Sequence, residues 1–484
     1  MSYHDLRDFI AQLERRNLLI RIKAEVDPNL EITEILSRIV AANGPAVIFE
    51  NVKGSAIPIV SNLFGTIERV SIALDTTPDG LTDIGEFLAS IKQPKPPNGF
   101  LEVMKKIPFY KHLYSMAPKT VRYGECQEVV LEGDDVDLSK FPILHCWPGD
   151  VAPLITWPLV ITKGVDGEPF NVGVYRMQVL DKNRTVMRWL AHRGGAQHYR
   201  EWMKLNKPMP VAVVIGADPG TILAAASPVP DGISEFHFAG LYRKKSLELV
   251  QCKTVDLKVP ASSEIVLEGE IYPGDFAPEG PYGDHTGYYN PAEPFPVFKV
   301  KCITHRKNPL YLTTVTGRPP REDAVIAVAL NKIFVPLLKQ TFPEVVDFIL
   351  PMEAVSYRMA IVSIKKAYPG HAKRIMMGLW GFLKQFLYVK YIIVVDSDID
   401  VNNWGDVIWA ISTRADPSRD ITIINDTPID YLDFASPKDS LGGKMGIDAT
   451  NKIGAETTRE WGARLEMSND VVDQVTKRWG EFGL

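Results

Sequence analysis

Apolar positions recur at helical spacing near both ends of the chain and alternate at strand spacing between them. In MSYHDLRDFIAQLERRN, Leu6, Phe9, Ile10 and Leu13 form one stripe behind Ser2, a helix-capping residue type. Asp27-Pro28 offers a cap and a first-turn proline for a second helix with the apolar face Ile32, Ile35, Leu36 and Ile39, and PAVIFENV then reads as a strand. From about residue 118 to 316 the segments CQEVVLEG, LITWPLVITK, NVGVYRMQVL, VAVVIGA, LELVQCKTVDLKV, EIVLEGEIY, VFKVKCITH and PLYLTTV are strand-like. So many strands with short turns predict an antiparallel sheet or barrel. After GRPPRED, helix and strand alternate: AVIAVALNKIFVPLLK, MAIVSIKK, HAKRIMMGLWGFLKQFL, YIIVVD, WGDVIWAIST. That order predicts a parallel α/β domain.

The clearest break in composition is QPKPPNG (93–99), a linker or surface loop. Three parts are expected: an N-terminal α/β domain over 1–117, a central β domain over 118–318, and a C-terminal α/β domain over 319–484. The last helix, from Asp470, carries Val471, Val472, Val475, Trp479 and Phe482 on one side. Such a stripe docks on its own domain or reaches a neighbouring subunit.

Composition narrows the choice. A chain of 484 residues exceeds what one core accommodates. Its 45% apolar and 23% charged content is that of a globular protein, and a net charge of −5 gives no electrostatic reason to expect nucleic acid. No apolar run approaches the roughly 20 residues of a membrane span, and the start carries charges where a signal peptide needs apolar residues. A cytosolic protein is expected, with contact at a membrane surface left open. Cys126, Cys146, Cys252 and Cys302 lack CxxC spacing, which indicates neither a zinc site nor a disulfide framework.

The chemistry gathers in the β-rich region. APEGPYGDHTGYYN (277–290) sets Glu279 and Asp284 among prolines and glycines that preclude a helix. Two acids in such a loop suit general acid/base work; alternatively they only satisfy turn amides. NVGVYRMQVL (171–180) puts Asn171 and Arg176 on one strand, on opposite faces by strict alternation, so their joint use requires a bulge, which Gly173 permits. Arg176 there needs an anion or an edge-strand route to solvent.

In MRWLAHRGGAQHYREW (187–202), Arg188, His192 and Arg193 precede Gly194-Gly195 and a helix, an arrangement that fits a phosphate or a solvated basic turn. SPVPDGISEFHFAG (227–240) holds Glu235 in an apolar stretch, either exposed by alternation or buried with a partner. Together these segments offer an amide oxygen, an imidazole and a carboxylate, a donor set suited to Mn²⁺ or Mg²⁺ with phosphate and water, beside arginines for phosphate or carboxylate. DSDID (396–400) is a metal-binding pattern or a polar loop at a strand end, and His4, His112, His305 and His371 show no ligand spacing.

The segments YHDLRDFI, LEITEI, NLFGT, VAPLITW, NVGVYRMQ, RWLAHRGG, APEGPYGDHTGYYN, GHAKRIMMG, DVIWAISTR, TPIDYLDFASP and GKMGIDATNK run nearly end to end, and with them the chain resembles the UbiD family of prenylated-flavin decarboxylases. The resemblance implies a multidomain α/β fold with a central antiparallel split β-barrel and a C-terminal domain used for assembly. It implies prenylated FMN and Mn²⁺, with K⁺ accompanying the metal in relatives. Asn171, His192 and Glu235 match the metal ligands. Val174, Tyr175, Arg176, Arg188, Trp189, Leu190, Arg193 and Gly194 match cofactor-binding segments, and Lys390 is similar in position to a phosphate-contacting lysine.

Arg176, Glu279 and Asp284 match the catalytic trio, Asp284 agreeing with the hydroxybenzoate branch and acting as the protonated acid. The implied reaction is nonoxidative decarboxylation of 3-polyprenyl-4-hydroxybenzoate to 2-polyprenylphenol in ubiquinone biosynthesis. The implied partners are a flavin prenyltransferase as cofactor supplier and further copies of the chain, a homohexamer in relatives. The competing expectations are action on another aromatic or heteroaromatic acid, or a non-catalytic flavin-binding accessory protein.

Overall fold

A long antiparallel hairpin, Ile265–Glu279 with Glu293–His305, forms the spine of the molecule. The computed structural model describes residues 3–92, 114, 116–190, 193–229, 234–355, 357–382, 384–430, 432–439 and 441–483. The linker expected at 93–99 and the capping residue Ser2 lie outside them. Counting the hairpin, nine strands of the described residues pair antiparallel throughout, Val129–Glu132 among them beside Glu293–His305. Leu154–Ile155, Met177–Val179 and Arg184–Met187 extend the sheet on one side; Met209–Ile215, Leu159–Gly164 and Gly167–Val174 extend it on the other. Register shifts at Glu268/Gly269 and Ile271/Phe276 bend the hairpin, as bulges do, and the sheet curls into half a barrel.

Two strand-like segments join other sheets. Tyr311–Leu312, within PLYLTTV, pairs parallel with Ile59–Ser61 of the N-terminal sheet, which also holds Leu19–Val26 and Ala46–Val52. Glu248–Gln251 and Lys258–Pro260 form a small sheet with Lys119–Val121. The first helix, Leu6–Arg15, buries Leu6, Phe9, Ile10 and Leu13 as the stripe requires, but its cap is Asp5, which accepts from the Asp8 amide. The second helix begins only at Glu31, because Asp27 spends its carboxylate on the Asn29 amide in a turn.

The C-terminal sheet shows period-two burial cleanly. Ile392 and Val394 of Tyr391–Asp396 face the helix His371–Phe382, while Ile393 and Val395 face Trp404–Arg414. Covered on both faces, the parallel strands Met359–Ile364 and Tyr391–Asp396 read as near-continuous apolar runs, whereas their parallel neighbour Leu441–Ala449 carries Lys444 and Asp448. The helix Glu322–Thr341 is long and apolar enough to cross a membrane, yet half of its apolar window is buried and it packs against Leu81–Lys92 as a core helix. The terminal helix Asn469–Lys477 does not dock on its own chain: Val471, Val472, Val475, Trp479 and Phe482 all remain exposed.

Candidate active site

Glu279 is the last residue of its strand and is fully buried. Gly280 follows at φ +93°, a left-handed conformation that a side chain resists, and turns the chain into the loop bearing Asp284. Arg176 occupies the break between the strands Gly167–Val174 and Met177–Val179. Its Nε donates to Glu279 Oε1 at 2.8 Å, its Nη1 to Asp284 Oδ2 at 2.6 Å, and its Nη2 to Asn290 Oδ1 at 2.8 Å. The Tyr282 ring lies 5.4 Å from the guanidinium carbon. Arg188 Nη1 donates to the other oxygen of Glu279 at 2.6 Å. Burying these ions is tolerable only because each has fixed partners.

Asp284 departs from expectation. Burial by itself would raise its carboxyl, but hydrogen bonds from His285 and the charges of Arg176 and His285 prevail and hold it far below the usual carboxylate range. His285 donates to Asp284 Oδ1 from its amide at 2.7 Å, and its Nδ1 lies 2.6 Å from the same oxygen. Burial disfavours the imidazolium, yet the bond to Asp284 and the charges of Asp284 and Asp430 push His285 up to about 9. A carboxylate shifted toward its ionised form thus faces an imidazole shifted toward its protonated form. His285 Nε2 lies 2.8 Å from the Tyr357 hydroxyl, which donates to Asp430 Oδ2 at 2.5 Å.

The metal and cofactor segments converge without the expected bulge. Asn171 through Val174 pair in unbroken register with Thr162 through Leu159, and the register shift falls at Lys163/Gly164. The site uses both Asn171 and Arg176 because the strand ends at Val174, freeing Arg176 from alternation. Gly173 instead accommodates Tyr175, whose ring lies where a Cβ would stand. Glu235, first residue of the helix Glu235–Arg243, accepts from the Val172 amide at 2.8 Å, which sets its carboxylate beside Asn171. Burial, opposed by that amide bond, raises Glu235 to about 7. A Cβ on Gly194 would stand 2.1 Å from Asn171 Oδ1, so glycine lets the helix Gly194–Lys204 start here without displacing the Asn171 side chain. Tyr175 Oη accepts from the Gly195 amide at 3.3 Å.

Arg188, Trp189 and Tyr175 are buried, Leu190 is half-buried, Val174 is partly exposed, and Arg193 is exposed at the helix start. Trp189 Nε1 is buried with no hydrogen-bond partner among the described residues. His192 lies outside the described residues, and among those described no three His, Cys, Asp or Glu side chains cluster as a metal site. Lys390 stands apart from these segments in its bonding: its Nζ pairs with Asp433 at 2.7 Å, and Arg358 bridges Asp433 to Asp430. The DSDID aspartates are engaged within the fold: Arg414 donates to Asp396 and Asp398, and Asp400 accepts from the Asn402 amide.

The residues that sequence reasoning missed are His285, Asn290, Tyr357, Arg358 and Asp430. His285 was within reach of it, standing directly after Asp284 in GDH; the others are brought in by tertiary contact.

Three family models match the chain: the N-terminal domain of 3-octaprenyl-4-hydroxybenzoate carboxy-lyase at residues 10–88, its Rift-related domain at 119–319, and its C-terminal domain at 324–449. Among solved structures, the vanillic acid decarboxylase of Sedimentibacter hydroxybenzoicus in closed form is 29% identical, covering 100% of this chain and 99% of that one with a TM-score of 0.85. The UbiD-class enzyme HmfF from Pelotomaculum thermopropionicum, in an evolved dimeric form in complex with prFMN, is also 29% identical, covering 98% of each chain with a TM-score of 0.80. The apo 3,4-dihydroxybenzoic acid decarboxylase of Enterobacter cloacae shares the fold at 24% identity, 98% and 100% coverage and a TM-score of 0.79.

Proposed function

The chain belongs to the UbiD family, whose members are decarboxylases, and from that premise we propose that it removes CO₂ without oxidation from a 3-polyprenyl-4-hydroxybenzoate, yielding the 2-polyprenylphenol of ubiquinone biosynthesis. The observation that carries this reading is the buried cluster of Arg176, Arg188, Glu279 and Asp284, one proton-transfer acid fixed beside two guanidinium groups. The prenylated substrate is supported by the hydroxybenzoate carboxy-lyase models over most of the chain. A second reading, an unprenylated aromatic acid, is supported by the vanillic acid decarboxylase likeness over the full length.

Loss of CO₂ from an aromatic ring leaves charge that side chains cannot delocalise; prenylated FMN, when bound, supplies that electron sink. The residues fit such a group. Gly194 starts a helix against Asn171, where a phosphate would meet helix-start amides, and Trp189 Nε1 is a buried donor with no acceptor among the described residues. Glu235, half-buried with its carboxylate on the Val172 amide, would be a ligand for Mn²⁺, with Asn171 and His192 completing the set. Val174, Tyr175, Arg188, Leu190 and Arg193 would border the flavin, Lys390 acting only indirectly through Asp433.

Arg176 would hold the substrate carboxylate. As Asp284 takes up a proton it relaxes its grip on Arg176 Nη1, leaving that donor to the carboxylate. Asp284 then delivers the proton to the ring carbon that lost CO₂. Glu279 keeps both guanidinium groups in place throughout.

We place the enzyme in the cytoplasm as a homo-oligomer, a homohexamer by analogy, with the exposed stripe Val471–Phe482 as assembly surface. The lipid tail of the substrate supports peripheral contact with a membrane. A flavin prenyltransferase supplies the cofactor, and K⁺ is a candidate companion of the metal. The test is CO₂ release from prenylated and unprenylated 4-hydroxybenzoates by protein made without flavin prenyltransferase and reconstituted with prenylated FMN. Turnover only after reconstitution, and faster with the prenylated acid, is expected. Full turnover without flavin would overturn the cofactor, and preference for the unprenylated acid would overturn the substrate.

A further inference from the structure

Asp284 must carry a proton to deliver it, yet Arg176 Nη1 and His285 Nδ1, each 2.6 Å from one of its oxygens, favour its ionised form. The proton has to come from a neighbour. His285 is clamped between two acids, Asp284 Oδ1 at 2.6 Å from Nδ1 and Asp430 Oδ2 at 3.8 Å from Nε2, with the Tyr357 hydroxyl 2.8 Å from Nε2. Tyr357 stands just before the strand Met359–Ile364 and Asp430 just after Ile421–Pro428, so the clamp joins the active-site loop to the C-terminal sheet.

We propose that His285, held by Tyr357 and Asp430, is the proton store that loads Asp284 in each turnover. The inference rests on Asp284 being the proton donor to the ring. The Nδ1 proton of the imidazolium passes to Asp284 Oδ1 and from the carboxyl to the ring carbon. One C–H bond forms, one N–H bond breaks, and neutral imidazole is left with its Nε2 proton on the Tyr357 oxygen. Water returns the proton before the next cycle, so the balance is one proton consumed per CO₂ released.

The groups facing this histidine are Asp284 and Arg176 from the site, Tyr357, Asp430 and Arg358 from the C-terminal part, and Asp323 at the start of the helix Glu322–Thr341. Asp323 lies exposed at that helix start, and its carboxyl is shifted upward from its ordinary value. Asp430, in contrast, is held at about 2: burial opposes ionisation, but His285 and Tyr357 stabilise the carboxylate. Tyr357 and Asp430 are thus positioning residues that act through His285, and His285 acts through Asp284.

The test compares pH profiles of the reconstituted holoenzyme and its variants, with bound flavin checked by absorbance. Wild-type kcat should hold level through neutrality and fall only as His285 loses its proton near pH 9. Tyr357→Phe should move that basic limb down by about one pH unit or more, and Asp430→Asn should move it the same way. His285→Asn should lose turnover on the order of 10²-fold, lose the limb, and regain rate with added imidazole. In ¹⁵N-histidine spectra of the holoenzyme, the His285 ring should remain doubly protonated at pH 7.5. If Asp284→Asn is inactive while Tyr357→Phe and His285→Asn keep the wild-type profile, the proton store is refuted and the donor stands. If Asp284→Asn turns over normally, the donor assignment falls and takes the store with it.

Discussion

Arg188 Nη1 and Glu279 Oε2 meet at 2.6 Å, both buried, while the second arginine, Arg176, grips the same carboxylate from its other side. One acid therefore holds two guanidinium groups that would otherwise repel each other. Glu279→Gln removes the charge and leaves both arginines facing it. The variant is expected to lose roughly 3–5 kcal/mol of stability, the usual result of deleting one member of a buried ion cluster, as well as most turnover. Urea denaturation at pH 7 reads this, and a loss below about 1 kcal/mol would mean the cluster is effectively solvated.

His285 makes stability depend on pH in a defined direction. Its folded value is raised above the ordinary 6.5 to about 9, so its contribution is fully present below 6.5 and disappears as pH rises through 9. The shift corresponds to roughly 3 kcal/mol. Asp284, whose value is lowered, contributes above the ordinary carboxylate range and loses that contribution in acid. The stability difference between wild type and His285→Asn should therefore shrink between pH 6.5 and 9. A constant difference across that window would show that the imidazole is neutral in the fold.

Glu235→Gln keeps the bond from the Val172 amide but removes the charge available to a cation. Mn²⁺ content by elemental analysis should fall by an order of magnitude or more, the usual range for a ligand or its support being about 10–100-fold. Flavin occupancy should follow it down. Unchanged metal content would remove Glu235 from the ligand set.

At Gly194 the prediction is geometric. The methyl of Gly194→Ala would overlap Asn171 Oδ1, the end of a side chain that can swing away, so the fold should survive with little loss. Asn171 would be displaced, however, and absorbance should report weakened flavin retention. Unaltered retention with Asn171 moved would argue against Asn171 as a cofactor-side ligand.

The pattern of the chain made most of the architecture legible, because sheet and helix faces alternate cleanly in residues such as Ile392 to Val395. It misjudged Gly173, since a glycine that accommodates a folded-back tyrosine looks in sequence like one that permits a bulge. Arg176, Glu279 and Asp284 stood out as charges among apolar or turn residues, and the structure brings all three into contact. Their protonation did not stand out. It depends on Tyr357 and Asp430, which lie more than 70 positions from His285 and approach it only when the C-terminal sheet packs against the loop. Long-range partners of that kind leave no local spacing to read.

The central claim, that a carboxylate in APEGPYGDH ends the reaction by protonating the decarboxylated carbon, is tested most directly by Asp284→Asn. The amide is nearly isosteric, so fold, metal and flavin should be retained. With prenylated FMN bound, CO₂ release should nevertheless fall on the order of 10²–10⁴-fold, and exchange of the product's ring hydrogen with D₂O should fall with it. Decarboxylation and exchange at wild-type rates in Asp284→Asn would contradict the account and leave Asp284 as a turn residue.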